Sequence, residues 1–447
     1  MTGPGDNRRR GRFSERKAGM SSAVEQGEAN LSVATSEQLG AAQHDSPQQA
    51  ELRAKAAKLA FEMEMPSPME RPWKYLDVRT LSLDAYRPGL GAEGAEAPTV
   101  DGDYAAIVRQ VNGETVSVEV RAEGLQIIPF ERNEDAKTHE LIDTHLGSVV
   151  PFDRDKLTAL HYAFERGGLL IYVAPNAEIK QPVRISRWFA TGKQLGTPHT
   201  LVVTGANTEV SVVEDYQSSD DDIVIIPVVE LVPGPSSRVH YSALHRWGTN
   251  TRVFSQQRTV TEHDSELVSV SLVSGGAVVK SHIESSLIGR GSSSDLLGLG
   301  VGRGREHADF YTLQDHIGPD TRSDLLFKSA LKDSSRAIYY GVTRVGLGAK
   351  NADANQEDRN LLLSKDAKAD SDPVLEILTN DVIRVSHGAT AGPVDEEQLF
   401  YMESRGLPPA DAEALLVSGF LSEVIDRIGD EQLREEVRAS LDARMAD

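Results

Sequence analysis

The sequence predicts a mainly β protein flanked by helical segments at both ends. Three observations carry that reading. From Leu169 onward, short runs rich in β-branched residues recur about every ten residues, with Gly, Asn, Asp, Ser or Pro between them. No helical pattern interrupts those runs. Toward both ends of the chain the apolar spacing changes from alternation to every third or fourth position. Periodicity alone does not choose among a sandwich, a barrel and a β-helix. No strict internal repeat is visible, so any solenoid here is expected to be irregular.

Residues 1–45 are rich in Gly, Ser, Gln and Ala and poor in aromatics, and read as a disordered tail. The basic residues Arg8, Arg9, Arg10, Arg12, Arg16 and Lys17 precede no apolar stretch, so they are not the start of a secretory signal; translation from Met20 would remove them. Residues 46–167 read as a mixed helical and hairpin region. A helix from about Gln48 carries Leu52, Ala56, Leu59, Ala60 and Met63 at helical spacing and stops before Pro66. Trp73-Lys74-Tyr75 is an aromatic stretch in a chain that is only 6% aromatic. Asn112-Gly113 separates Tyr104–Val111 from Glu114–Arg121, a strong hairpin signal. Residues 135–166 look helical, closed by Gly167-Gly168.

The β body is expected over residues 168–390. Its runs include Leu169–Val173, Val183–Trp188, Glu209–Val213, Ile223–Val232, Arg238–Ala243, Val253–Thr261, Glu266–Leu272 and Val278–Ile288. The glycines at 298, 300, 302 and 304 alternate with other residues, which fits a packed strand and not a dinucleotide fingerprint. Residues 391–447 read as helices. Asp395 and Gln398 have capping-box spacing, Pro408-Pro409 open a second helix that Gly429 ends, and Asp430 caps a third. Such short helices are expected to share little core with the β body, so truncation after Gly392 should leave that body folded.

With 447 residues and a 39% apolar share, the chain can build a large core. A formal charge of -21 argues against nucleic acid as a partner, since phosphate would be repelled. No apolar run reaches the roughly 20 residues of a membrane-spanning helix. There is no cysteine, hence no disulfide and no thiolate ligand in this chain, which fits a cytoplasmic protein. No phosphate loop is present: Gly192-Lys193 lacks the upstream glycine, and Gly346-Leu347-Gly348-Ala349-Lys350 has the wrong spacing.

Few residues suggest chemistry on their own. His282 and Glu284 fall on one strand face, but two residues do not make a metal site. His240 and His245, with His199, His263, His307 and His316, have no ligand-spaced companions. Asp220, Asp221 and Asp222, with Asp370 and Asp372, would suit a glycan-cleaving β-helix enzyme if the fold gathered them in one groove; otherwise they are loop acids. His387 stands apart, at the seam between strand-like and helical sequence. Read alone, it is a buried or junction histidine, or an imidazole able to bind iron. Gly388 beside it allows unusual backbone or close approach of another chain.

The segment around His387 carries a resemblance. In order it runs Asn360-Leu361-Leu362-Leu363-Ser364, Ala367-Lys368-Ala369-Asp370, Pro373-Val374-Leu375-Glu376-Ile377, Asp381-Val382, Ser386-His387-Gly388-Ala389-Thr390, Asp395-Glu396-Glu397-Gln398-Leu399-Phe400-Tyr401 and Ser404-Arg405-Gly406. This resembles the C-terminal signature of the SufB/SufD family, which scaffolds iron–sulfur cluster assembly. Asp315-His316 with Ser323, and Trp73-Lys74-Tyr75, resemble further family stretches. Gly388-Ala389-Thr390 after the histidine, and the lack of cysteine, are similar to the SufD branch. Chains of that branch often carry cysteine two residues before the histidine, where Val385 stands here.

The resemblance implies a right-handed parallel β-helix core with an N-terminal helical region and a C-terminal helical domain. It implies a non-catalytic scaffold subunit that pairs with a SufB paralogue as a heterodimer and docks a SufC-like ABC ATPase through its C-terminal helices. ATP hydrolysis would then move the pair and expose the assembly site. His387 would be the one metal-binding and cofactor-binding residue, toward an iron–sulfur cluster held transiently and shared with the partner. With no thiolate, the isolated chain is expected to hold no stable cluster. Two rival functions stay open at this point: an adaptor for the ATPase that never touches iron, and a β-helix carbohydrate-active enzyme.

Overall fold

The computed structural model describes residues 30–89, 91, 96–133 and 135–446. Its body is a β-solenoid of about eight turns, in which strands alternate between two sheets. Sheet I runs from Leu125–Pro129 to Lys368–Ile377, and sheet II from Glu114–Val120 to Val382–Pro393. Within each sheet neighbouring turns pair in parallel and in register. In sheet II Arg238 faces Glu266, Glu266 faces Ser293, and Ser293 faces Arg322. In sheet I Arg252 faces Val278, 26 residues on, whereas Arg336 faces Lys368, 32 residues on. The spatial repeat is therefore regular while the sequence period drifts by six residues. That drift, taken up in the turns, is why no clean repeat shows in the sequence.

Alternation fills the core. Leu267, Leu296 and Leu325 of sheet II point inward and meet Phe310 and Tyr339 of sheet I. The alternating glycines serve this packing. Gly298 lies in the strand Ser293–Gly302, and a Cβ there would sit 2.1 Å from the Phe327 ring on the next turn. The long run Ile223–Val232 is broken into Val224–Ile225 and Val228–Val232, because Pro227 between them has no N–H to offer the ladder.

The two ends of the solenoid differ. At the first, antiparallel strands close it: Ala106–Val111 turns into Glu114–Val120 through Asn112 (φ 49°) and Gly113 (φ 81°), the left-handed pair that a two-residue hairpin requires. Leu125–Pro129 likewise runs antiparallel to Leu169–Val173. At the far end, Lys368–Ile377 and Val382–Pro393 each have a strand partner on one side only.

Helices cover the outer faces. On sheet I lie α1 (Val33–Ala42), α2 (Pro47–Glu62), α3 (Ala136–His145) and α4 (Lys156–Phe164). The reading of residues 1–45 as a tail is corrected over α1, while residues 1–29 lie outside the described residues. Helix α1 starts where the Ser32 side chain accepts the Thr35 N–H at 3.1 Å. Its buried face is Ser36 and Gly40, too small and polar to register as an apolar stripe. Gly40 packs on Arg53 of α2, where a Cβ would meet Nε at 2.8 Å. The expected helix over 135–166 is two helices, separated at Gly147 (φ 75°) and Pro151.

On sheet II lie α6 (Pro409–Ile425) and α7 (Glu431–Ala446), with α5 (Glu396–Ser404) leading into them. Asp395 caps α5 by accepting the N–H groups of Glu397 and Gln398. The expectation that these helices share little core with the β body is overturned. Val417, Leu421, Val424, Ile425, Ile428, Leu433, Val437 and Leu441 form one cluster with the outward side chains Leu272, Leu297, Leu299 and Leu326 of sheet II. Truncation after Gly392 would strip that face. Replacement of Leu421, 1% exposed, by Ala should cost about 2–5 kcal/mol of stability, whereas Leu415→Ala at a 57% exposed position should cost under about 1 kcal/mol. Chemical denaturation of the two variants checks this; equal losses would contradict the shared core.

Candidate functional site at the open end of the solenoid

His387 lies in Val382–Pro393, the last strand of sheet II. It faces Gln356 in register, and Gln356 faces Leu325, so the imidazole belongs to the inward row of the solenoid at its uncovered end. It sits at the strand-to-helix junction as expected, but it is not buried: with no further turn over it among the described residues, His387 is exposed. Gly388 has no positive φ, and no described atom lies within 4 Å of a Cβ built there. It is an ordinary extended residue facing open space.

Neighbouring rows hold this strand in place. On the outward side, Ser386 Oγ donates to Asn355 Oδ1 at 2.7 Å, Asn355 Nδ2 donates to Asp324 at 3.1 Å, and Arg427 after α6 donates to Asp324 at 2.7 Å. On the inward side, Gln356 and Asp358 are buried, at 1% and 2% exposure. Thr343 Oγ1 donates to Gln356 Oε1 at 2.8 Å, and Gln356 in turn bonds the Tyr339 hydroxyl. Asp358 Oδ2 accepts Asn360 Nδ2 at 2.7 Å and the Ser371 hydroxyl. Burial pushes the Asp358 carboxyl up to about 6, against the lowering effect of those donors.

Trp73-Lys74-Tyr75 reaches the same end from sheet I. Trp73 is buried against Phe254 and His282, while Lys74 Nζ and Tyr75 Oη both donate to Asp372 Oδ2, at 2.8 and 2.9 Å, on the last strand of that sheet. Asp370 pairs with Arg336 at 2.6 Å. Asp222 is engaged by Lys193, Tyr86 and Arg252, and Asp220 and Asp221 by Thr249 and Ser219. Asp222, just before Val224–Ile225, and Asp372, within Lys368–Ile377, belong to strands five spacings apart in sheet I, roughly 24 Å at about 4.8 Å each. The acids that would serve a glycan-cleaving site are thus not brought together.

His263 is exposed, whereas His245, His282 and His316 are packed in the body. His245 stacks on Tyr216 at 5.2 Å, and His316 bonds Thr321 at 2.8 Å and Ser323 at 2.9 Å. His282 and Glu284 do share a face, but Arg154 takes the Glu284 carboxylate. Sequence reasoning missed one cluster. His161 of α4 meets His199 at 3.0 Å, which approaches Glu230 at 3.4 Å; Glu230 also accepts the N–H groups of Gly147, Val149 and Val150. These residues are far apart in sequence, so no spacing announces them. Among the described residues no group of three or more His, Cys, Asp or Glu could hold a metal ion, and no helix is long and apolar enough to cross a membrane.

A family model described as the SUF system FeS cluster assembly SufBD core domain matches residues 188–420, from the early turns of the solenoid into α6. The chain belongs to the SufBD family. Within it the chain is SufD-like: it is 30% identical over 300 residues to the iron–sulfur cluster assembly protein SufD of Bacillus subtilis, covering 66% of this chain and 68% of that protein. A SufBD family protein of Mycobacterium tuberculosis is 30% identical over 311 residues, covering 67% and 76%. One from Staphylococcus haemolyticus is 26% identical over 397 residues, covering 83% and 84%. The SufBD core thus covers the solenoid from Trp188 onward, and the expected β-helix with helical flanks is the fold observed.

The packed histidines set a pH dependence. Burial holds His161, His245, His282 and His316 below the usual imidazole range, His245 and His316 at about 4. The unfolded chain binds their protons near pH 6.5 and the folded chain does not, so stability falls as pH drops from 6.5 toward 4. Asp358, raised to about 6, and Glu165, raised to about 7, work in the opposite sense, being protonated first in the folded state. His145 and His307 are also lowered, and Asp155 and Asp295 also raised; six imidazoles outweigh four carboxyls, so the melting temperature should be lower at pH 5 than at pH 7.5. An equal or higher value at pH 5 would contradict this.

Proposed function

We propose that this SufBD chain is a non-catalytic scaffold subunit for iron–sulfur cluster assembly, with the cluster as cargo at a site it completes together with a cysteine-bearing SufB paralogue. The observation that carries the reading is the exposed imidazole of His387 on the last, one-sided strand of the solenoid, in a sequence without cysteine. A cluster is held by about four protein ligands, mostly thiolates, and histidine can replace some of them. One imidazole at an unpaired sheet end therefore suits a ligand set finished by a second chain, and the bare strands Lys368–Ile377 and Val382–Pro393 suit pairing with a similar solenoid. The isolated chain would hold no stable cluster.

The C-terminal helices are the surface we assign to a SufC-like ATPase, with residues 391–447 as the docking unit. Phe400, Tyr401 and Leu415 are 72%, 58% and 57% exposed there, while the opposite face of α6 is fixed to the solenoid. Leu415 lies on a helix anchored by its opposite face and Phe400 and Tyr401 on α5 beside it, and large apolar side chains left outside there support a docking face. The family resemblance assigns ATP hydrolysis to the docked partner, with the motion it drives opening the site at the solenoid end. Cytoplasmic placement accords with a thiol-rich, reducing setting for cluster assembly.

Two measurements test the reading. His387→Ala should leave the melting temperature of the complex nearly unchanged, because an exposed imidazole contributes within about 0.5 kcal/mol, yet sharply reduce iron and sulfide per complex. Normal iron content would sink the ligand role and leave an adaptor that does not touch iron. The double variant Phe400→Ser/Leu415→Ser should weaken ATPase capture at least about tenfold, the scale of losing one 1.4 kcal/mol anchor, while the chain stays folded. Undiminished capture would refute the docking assignment.

A further inference from the structure

The inward row beneath His387 contains more than its surroundings use. Gln356 faces His387, and Asp358, two residues further along, faces Ala389. Asp358 and His387 therefore stand on one face, one strand apart and two positions apart, a diagonal of roughly 7–8 Å between backbones that rotation of the exposed imidazole can close. Both hydrogen bonds made to Asp358 fall on Oδ2, and Oδ1 has no partner among the described residues, although the residue is only 2% exposed. An acceptor is thus left open beneath the imidazole.

We propose that Asp358 is a positioning residue for His387: Oδ1 accepts the N–H of one ring nitrogen and leaves the lone pair of the other directed out of the solenoid. This inference rests on the reading of His387 as an iron ligand. A ligating histidine needs one nitrogen free of its proton, and a carboxylate on the opposite nitrogen selects that tautomer and fixes the ring plane. The Asn360 and Ser371 hydrogen bonds on Oδ2 hold the carboxylate in place. Gln356 has the opposite sense: its N–H can only bond a ring nitrogen that lacks a proton, so the tautomer of His387 distinguishes the two neighbours.

The test is the His387 ring ¹⁵N spectrum of the full-length chain labelled at histidine, assigned by its loss in His387→Gln, together with iron and sulfide per complex after coexpression with the partners. In the native chain His387 should show one tautomer. Asp358→Ala should convert it to a mixture and lower cluster yield by about 10-fold or more, the usual effect of losing such an orienting carboxylate. Asp358→Asn, which keeps the size of the side chain and thus the packing, should shift the tautomer in the same direction. Retention of a single unchanged tautomer in both Asp358 variants would overturn the proposal, as would a native spectrum already mixed. The His387→Ala yield separately decides the parent reading: if it is unchanged the ligand role fails, whereas an unchanged tautomer with a lowered His387→Ala yield fails this inference alone.

Discussion

The parallel ladder between successive turns is the interaction on which everything else in this molecule depends. Each strand uses one edge to bond the turn before it and offers the other to the turn after it. Residues in register therefore stack in rows that run the length of the solenoid, and a row assigned to the core at one turn stays in the core at the next. Leu296, Leu325, Gln356 and His387 form such a row across four consecutive strands of sheet II. The chemistry along it changes from aliphatic to amide to imidazole as the end approaches. Because no turn follows Val382–Pro393 in this chain, the ladder stops with its backbone groups unused and its last inward residue, His387, open to whatever pairs there.

The same ladder explains the unequal legibility of the sequence. Asn112-Gly113, the capping Asp395, and the Pro and Gly stops between the C-terminal helices were readable because each is a local device with a local residue requirement. The strands were readable as runs, since alternation is also local. The stacking of runs into a solenoid was not readable from spacing. The turn lengths absorb a drift in period between 26 and 32 residues, and only the family resemblance pointed to the fold. Helix α1 escaped notice because its packing face is Ser36 and Gly40. His387 was legible as a distinctive residue, yet its exposure was not, since exposure depends on the absence of a next turn. Asp358 and Gln356 gave no signal at all: they acquire meaning only when the register places them under His387.

The C-terminal helices join the proposed docking face to the proposed cluster end of the solenoid. Their apolar faces are continuous with the outward leucines of sheet II, so the helical unit and the solenoid form one mechanical body. Polar contacts tighten that union. Lys328 Nζ reaches Glu423 of α6 at 2.6 Å, and Arg427 binds Asp324, which begins the outward row through Asn355 to Ser386, the residue before His387. A partner bound on α5 and α6 would therefore push on the strand that carries the imidazole without passing through a flexible joint.

The central claim is that the end of the solenoid is an unfinished sheet which a second chain completes. Hydrogen–deuterium exchange of the strand Val382–Pro393 tests it most directly, measured for the chain alone and with the cysteine-bearing paralogue. Backbone N–H groups on the unpaired side should exchange rapidly in the isolated chain and become strongly protected in the pair, while turns in the middle of the solenoid remain equally protected in both states. Equal exchange of this strand with and without the partner would mean that pairing occurs elsewhere and that His387 does not sit at a shared site.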